Sequence, residues 1–175
     1  MTLVHAKNSR GRERYAVVVS KKVAKSAEKR NRIRGVLFDA SNGTNNYSHA
    51  VAAAAIREGF YPDLISTDCS HVFHSLYKPK CFALPYIMSK YLALGMPLEE
   101  VIRRVTSDAA AFGGWDNKGA LLPGKDADIA ILKLVPHRTV FRDFADQEIS
   151  GDALFSPQMT IKDGEIVYRN MLFTD

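Results

Sequence analysis

The chain has 175 residues, 46% of them hydrophobic and 25% charged, close to the average for soluble globular proteins. This composition excludes wholesale disorder, and the longest apolar run, residues 50–56, is far shorter than the roughly 20 residues that cross a bilayer. Residues 1–29 show no signal-peptide pattern, and two cysteines, Cys69 and Cys81, make no disulfide framework. We therefore expect a cytoplasmic protein without a membrane partner.

The net charge of +5 is divided unevenly along the chain. Residues 1–35 contain 11 lysines and arginines against two glutamates, a net charge of +9. The remaining 140 residues contain 13 basic and 17 acidic residues, a net charge of −4. This asymmetry favours either a nucleic-acid-binding arm on a weakly charged body or two segments of different origin.

The first predicted elements lie in the basic segment. Residues 2–13 are polar and predict a loop, and the β-branched run at 15–20 predicts a strand. Residues 22–34 contain no glycine or proline and predict a short cationic helix. Such a helix suits a nucleic-acid phosphate backbone, and its binding is expected to depend steeply on salt; a solvated basic face is the alternative.

A strand–helix–strand unit follows the basic segment. The short apolar run at 36–39 ends in a turn-rich stretch, residues 47–58 form an alanine-rich helical pattern that Gly59 stops, and residues 64–67 are again apolar. Short, continuously apolar strands joined through a helix are typical of parallel sheets that are covered on both faces. The predicted fold class is therefore α/β, with a βαβ unit at its centre.

The rest of the chain predicts two more helices and an antiparallel layer. The helices cover about residues 85–94 and 97–105, the second opening with a proline and two glutamates, as helices often begin. Beyond two consecutive glycines the pattern changes to β-strands at 129–134, 139–143, 158–161 and 166–169. Asp163-Gly164 joins the last two strands as a hairpin, and open strand edges in this layer predict self-association.

Polar residues follow both strands of the βαβ unit. Asp68 comes directly after the second strand, and Asp39 and Asn42 close the first, so all three are expected at the carboxyl edge where α/β proteins bind ligands. A carboxylate there can ligate a metal or take a proton from water, or it can simply cap the next turn. Asn42 and Asn46 could donate hydrogen bonds to a substrate carbonyl, or they could be loop residues.

Two histidines extend this region. His71 and His74, together with Asp68 and the two cysteines, have the ligand types that zinc accepts, although their spacing matches no structural zinc pattern. His5, His49 and His137 are isolated and predict surface or hydrogen-bonded histidines. The sequence contains no HExxH motif, phosphate-binding loop or serine nucleophile elbow.

A first resemblance covers residues 35–175. Its motifs, in chain order, are GVLFDASNG (35–43), EGFYPDLISTD (58–68), LPYIMSKYLALGMPLEEVI (84–102), GALLPGKDADIAIL (119–132) and SPQMTIKDGEIVY (156–168). This segment resembles the C-terminal part of a dihydroorotase-like amidohydrolase in the amidohydrolase/deacetylase group. The resemblance implies the last βα units of a (β/α)8 metal-dependent hydrolase barrel at 35–115 and part of a small β-sandwich at 116–175.

The same resemblance implies an activity. The family hydrolyses an amide or ester bond of a small molecule with water activated by one or two zinc ions. Asp68 resembles the aspartate that ligates metal and shuttles the proton, and Asn42 falls in a substrate-contacting loop. The family's HxH motif, carboxylated lysine and two further histidines have no counterpart here, so we expect a fragment that is inactive by itself.

A second resemblance covers residues 14–34. The segment RYAVVVSKKVAKSAEKRNRIR is similar to the ribonuclease P protein component, which implies a separate basic segment at 1–34 and RNA as a partner. The side chains that would contact RNA are Lys21, Lys22, Lys25, Arg30, Asn31, Arg32 and Arg34. RNA binding through this segment is therefore the alternative function.

Overall fold

The structure is a computed structural model that describes residues 3–7, 13–17, 37–42, 47–68 and 83–173. The chain divides into two compact units, Met1–Leu37 and Phe38–Asp175. In the first unit, strand β1 (Leu3–Lys7) pairs antiparallel with β2 (Glu13–Val17). The loop predicted at 2–13 is therefore wrong for residues 3–7, because pairing with β2 gives this segment a backbone ladder that its local pattern does not reveal. The helix predicted at 22–34 lies outside the described residues.

The second unit begins with a parallel pair of strands. Strand β3 (Asp39–Ser41) pairs with β4 (Leu64–Ser66), Asp39 lying opposite Leu64 and Ser41 opposite Ser66. Helix α1 (His49–Arg57) connects them and ends before Gly59, which has a positive φ of 73°. The predicted βαβ unit with parallel strands is confirmed.

Three helices follow in the described part of the chain. Helix α2 (Leu84–Ala93) has a proline in its first turn, and α3 (Leu98–Val105) has acidic residues in its first turn and basic residues in its last, as the helix dipole favours. Helix α4 (Ser107–Gly113) was not predicted, because it is only seven residues long and follows α3 after Thr106.

An antiparallel sheet completes the second unit. Its strand order is β5 (Ile129–Arg142), β6 (Glu148–Lys162) and β7 (Glu165–Arg169). The two short strands predicted at 129–134 and 139–143 form one strand, whose pairing register shifts after Pro136. Asp163 and Gly164 both have positive φ and form the predicted turn between β6 and β7.

The core of the second unit joins its helices to its two sheets, the β3–β4 pair and the β5–β6–β7 sheet. Ile87 of α2 and Val101 of α3 are fully buried, and they pack in one cluster with Ile65 of β4 and Phe155 of β6. This cluster fixes the parallel strand pair against α2 and α3 and so sets where the carboxyl ends of β3 and β4 lie. Among the described helices, none combines the length and apolar character that a bilayer crossing needs.

Candidate functional site

Two of the residues predicted from the sequence, Asn42 and Asp68, lie beyond the carboxyl ends of β3 and β4. The prediction that Asp39 closes the first strand is wrong, because the ladder with β4 starts at Asp39, which lies opposite Leu64 at the amino end of β3. Asp68 lies two residues beyond β4, is exposed, and has a left-handed backbone with a φ of 47°. Asp39 accepts a hydrogen bond of 2.8 Å from the Ser66 hydroxyl. Loss of hydration raises the pKa of Asp39, and the negative charge of Asp68 adds to this rise while the Ser66 bond opposes it. The charge of Asp68 therefore acts on the carboxyl group of Asp39.

Asn42 ties the two strand ends together. Its side-chain amide donates to the Ala40 carbonyl at 2.6 Å and to the Ser66 carbonyl at 2.7 Å, and the residue is only 3% exposed. The Tyr91 hydroxyl of α2 lies beside it; burial raises the pKa of Tyr91 well above its usual range, and Asn42 has the smaller, opposite effect. Both amide hydrogens of Asn42 are thus used on backbone carbonyls. A substrate contact through Asn42 stays a prediction.

A buried polar group, which we call the His49 cluster, lies next to Tyr91 and consists of Tyr47, His49, Lys90 and Asp143. The His49 backbone N–H donates to Asp143 at 2.9 Å, and its ring Nε2 lies 3.1 Å from the Phe141 carbonyl. The Lys90 ammonium sits 3.5 Å from the centre of the Tyr47 ring. Burial lowers the pKa of His49, and the positive charge of Lys90 lowers it further.

The His49 cluster connects the start of α1 and the last turn of α2 to the end of β5. Asp143 also accepts hydrogen bonds from the backbone N–H groups of Ala145 and Gln147, which fixes the turn that follows β5. Of the two alternatives predicted for His49, a surface or a hydrogen-bonded histidine, the structure excludes the first and shows the second at Nε2 only, since the buried Nδ1 has no hydrogen-bond partner among the described residues. Its partner Asp143 was not predictable from local pattern, since an aspartate after a strand is equally typical of an exposed turn.

A second carboxylate group lies at the base of the antiparallel sheet. One oxygen each of Asp126, Asp128 and Asp163 lies within 4.8 Å of the others. The Lys118 ammonium is 2.7 Å from Asp126 and 2.6 Å from Asp128, and Lys162 is 3.1 Å from Asp128. These lysines and the Asp163 backbone N–H hold the pKa of Asp128 well below its usual range. The group is therefore an ion-pair network in which two lysines balance two of the three carboxylate charges.

The described residues do not fit a complete catalytic zinc site. Such a site normally takes three protein ligands. Across the described stretches of the chain, the group at Asp126 is the only set of three possible metal ligands, and Asp68 does not belong to it. The remaining predicted site residues, which are Asn46, His71, His74 and those of the basic segment 21–34, lie outside the described residues.

Comparison with known proteins gives the family. The amidohydrolase family model matches residues 15–167. Deacetylases from Enterococcus faecalis and Brucella anthropi are 30% and 33% identical to this chain over 133 and 138 residues. Each alignment covers 76% of this chain but only 36% and 32% of the deacetylase. The chain therefore spans about a third of the length of the curated relatives that it matches.

Solved structures agree with the sequence match. An adenine deaminase superimposes with a TM-score of 0.75 and 30% identity over 81% of this chain and 38% of its own. A dihydroorotase superimposes with a TM-score of 0.73 and 28% identity over 86% of this chain and 38% of its own. The family match begins at residue 15 and so includes residues 15–34 of the basic segment, and the resemblance of residues 14–34 to the ribonuclease P protein component stays a prediction. The chain belongs to the amidohydrolase family.

Proposed function

We propose that the chain forms the C-terminal part of a zinc-dependent amidohydrolase and that Asp68 is a catalytic residue of it. The observation that carries this proposal is the position of Asp68: an exposed carboxylate at the carboxyl edge of a parallel strand pair, inside the segment that matches the family. The proposed reaction is hydrolysis of an amide or ester bond of a small molecule. The similarity to deacetylases and to a dihydroorotase supports this class.

The chemistry proposed for Asp68 is proton transfer. Hydrolysis needs a base that takes a proton from the attacking water and later gives it to the leaving group, and a positioned carboxylate can do both. Asp39, fixed by Ser66, places a second carboxyl group nearby, and burial, with a smaller contribution from the negative charge of Asp68, raises the pKa of Asp39. Asn42 holds the carboxyl ends of β3 and β4 together at the point where Asp68 follows β4.

The remaining ligands of the zinc would come from groups other than the described residues. The family resemblance implies one or two zinc ions, and of the described residues at this edge Asp68 is the proposed ligand. The sequence of all 175 residues contains no HxH motif that could supply a histidine pair. We therefore propose that the chain alone neither binds zinc stoichiometrically nor hydrolyses substrate.

The test combines the chain with the part of a family member that the chain does not match. The whole 175-residue chain is co-expressed with the portion of the Brucella anthropi deacetylase that it does not match, and a covalent fusion of the two is a second arm. Turnover of N-acetyl, O-acetyl and cyclic amide substrates is measured with zinc present. We expect turnover from the reunited proteins and none from the chain alone.

The variant Asp68→Asn should lower turnover of the reunited protein by at least about 100-fold, the usual loss when an acid–base group is removed. Asp152→Asn is the matched control, because it makes the same change at an exposed position of β6 and should keep full turnover. Equal turnover by Asp68→Asn and wild type would overturn the role of Asp68. Stoichiometric zinc in the isolated chain, lost in Asp68→Ala, would overturn the incomplete site.

A further inference from the structure

Ser66, the last residue of β4, makes hydrogen bonds to both ends of the β3 segment. Its hydroxyl donates to Asp39 at 2.8 Å, and its carbonyl accepts from the Asn42 amide at 2.7 Å. Asp39 begins β3 and Asn42 directly follows that strand, and Ser66 itself lies opposite Ser41 in the ladder. The end of β4 is therefore fixed at more points than strand pairing alone provides.

The bond between Ser66 and Asp39 lies on the face of the strand pair opposite the core. Ala40 and Ile65 are partners in the ladder and point to the other face, where Ile65 belongs to the core cluster and Ala40 packs against it. Because side chains alternate between the two faces of a strand, Asp39 and Ser66 point away from that cluster. Removing the Ser66 hydroxyl therefore opens no cavity in this core.

Asp68 follows this fixed point after a single residue, Thr67, and has a left-handed backbone with a φ of 47°. Aspartate enters this region more readily than most residues, yet at a cost in free energy, so the conformation persists where neighbouring contacts impose it. The Asn42 bond fixes the plane of the peptide that joins Ser66 to Thr67, because a peptide group is planar. Only the torsions of Thr67 and the φ of Asp68 then remain to set the direction of the Asp68 side chain.

We propose that Ser66 is a positioning residue for Asp68. Its hydroxyl bond to Asp39 and its carbonyl bond to Asn42 hold the end of β4 so that Asp68 keeps its left-handed backbone and directs its carboxylate toward the attacking water. This inference rests on the proposed role of Asp68 in hydrolysis, and it requires no contact between Ser66 and the substrate.

The backbone of Asp68 can be followed by NMR in the isolated 175-residue chain. A positive φ brings the amide and α protons of a residue close together, so Asp68 of wild type should show a strong nuclear Overhauser effect between them. Ser66→Ala should weaken this signal, because the bond to Asp39 is lost. Ser66→Thr keeps a hydroxyl and should keep the signal. Ser150→Ala, which removes a hydroxyl at an exposed position of β6, is the matched control and should also keep it.

Turnover by the chain combined with the deacetylase portion shows whether this position matters for catalysis. Ser66→Ala should lower kcat by about 10-fold and leave KM within about twofold of wild type, since a misplaced base slows the chemical step without removing a substrate contact. Ser66→Thr should restore most of the lost kcat. A merely structural role would lower the stability of the protein, measured by urea unfolding, but not the kcat of the folded fraction.

Asp39→Ala removes the same hydrogen bond from its other end, so it serves as the second variant if Ser66→Ala fails to fold. It should weaken the Asp68 signal and lower kcat as Ser66→Ala does. The double variant should lose no more than either single variant, because both changes remove one bond. Circular dichroism measures the fold of each variant.

The two measurements separate failure of this inference from failure of the proposed function. A wild-type Asp68 signal in Ser66→Ala, or a weakened signal with unchanged kcat, would overturn the positioning role. Equal losses in Ser66→Ala and Ser66→Thr would overturn the role of the hydroxyl. If the combined wild type has no turnover but Ser66→Ala alters the Asp68 signal and Ser66→Thr does not, the hydrolase proposal fails and the control of the Asp68 backbone by Ser66 stands.

Discussion

At the scale of single residues, Asn42 shows how a site can depend on a side chain that does not face solvent. Its two amide hydrogens bind carbonyls on different strands, Ala40 of β3 and Ser66 of β4. These bonds hold the carboxyl ends of the strands at a fixed separation, just where Asp68 follows. The first role we assign to Asn42 is therefore structural, and any effect on substrate would act through the position of the strand ends.

Asn42→Asp tests this role without changing the size of the side chain. A carboxylate cannot donate to either carbonyl and would be buried beside them, so the free energy of unfolding should fall by about 2–4 kcal/mol. Urea unfolding measures the loss. Gln147→Glu, the same chemical change at an exposed residue, should have little effect. If Asn42→Asp proves as stable as Gln147→Glu, the two amide bonds do not hold the strands.

His49 gives the protein a predicted pH dependence. Burial and Lys90 lower the pKa of His49 in the folded state, whereas Asp143 and the Phe141 carbonyl raise it by smaller amounts. The unfolded chain, with a histidine pKa of about 6.5, therefore binds a proton first as the pH falls. The stability contributed by neutral His49 is fully present above about pH 6.5 and is lost as the pH drops below that value.

His49→Gln should remove this part of the pH dependence. We expect wild type to lose more unfolding free energy than His49→Gln between about pH 7.5 and pH 5, since only wild type must bury a charged imidazole beside Lys90. Urea unfolding at a series of pH values measures the difference. His137→Gln, at an exposed histidine, should keep the wild-type slope. A parallel pH profile for His49→Gln and wild type would contradict the prediction.

The position of Asp68 was predictable from its own neighbourhood, whereas the burial of Asn42 was not. A short apolar run followed by an aspartate predicts a carboxylate at a strand end, and local pattern is enough to show it. Asn42 lies in the segment Ser-Asn-Gly, which is typical of an exposed turn. Its partner Ser66 and its neighbour Tyr91 come from segments 24 and 49 residues away, and local pattern carries no information about them.

At the scale of elements, the predictions were right where the period of the hydrophobic pattern and the length of the segment indicated the same type of element. Helices α1, α2 and α3, the parallel pair and the β6–β7 turn were all predicted to within a few residues. Strand β5 was predicted in two pieces because residues 136–138 interrupt the apolar pattern, yet β6 pairs on both sides of this interruption. Strand β6 extends well before its predicted start, since pairing with the long β5 continues where the hydrophobic pattern is weak.

The contact between α2 and β6 depends on a glycine. A Cβ at Gly151 would lie 2.9 Å from the Ala93 Cβ and 3.0 Å from Phe141, closer than packed carbon atoms normally approach. Gly151→Ala should therefore lower the free energy of unfolding by about 1–3 kcal/mol through overpacking. Ala93→Gly should cost about 1 kcal/mol through helix propensity.

The double variant Ala93→Gly/Gly151→Ala distinguishes overpacking from other causes. Removing the Ala93 methyl group makes room for the new one, so the double variant should be more stable than the sum of the two single losses predicts. Urea unfolding of all four proteins gives the coupling. Strict additivity would show that the helix and the strand do not press against each other at this point.

At the scale of the whole molecule, the division of charge and the family match do not share a boundary. The charge changes sign near residue 35, whereas the amidohydrolase match begins at residue 15. The basic residues 21–34 therefore lie within the matched range. Their charge still predicts binding to a polyanion, because a net charge of +9 over 35 residues attracts one whatever the origin of the segment.

Replacing Arg30, Arg32 and Arg34 with alanine tests whether this charge acts through specific residues. We expect wild type to bind single-stranded RNA weakly and with a steep salt dependence, and the triple variant to bind more weakly, with the slope of log affinity against log salt reduced by about 2. Fluorescence anisotropy of a labelled RNA at several salt concentrations measures both. Replacing Arg57, Lys133 and Arg138 with alanine removes the same charge from exposed positions elsewhere. Equal losses in the two triple variants would show that only net charge matters, and no loss in either would contradict RNA binding by the basic segment.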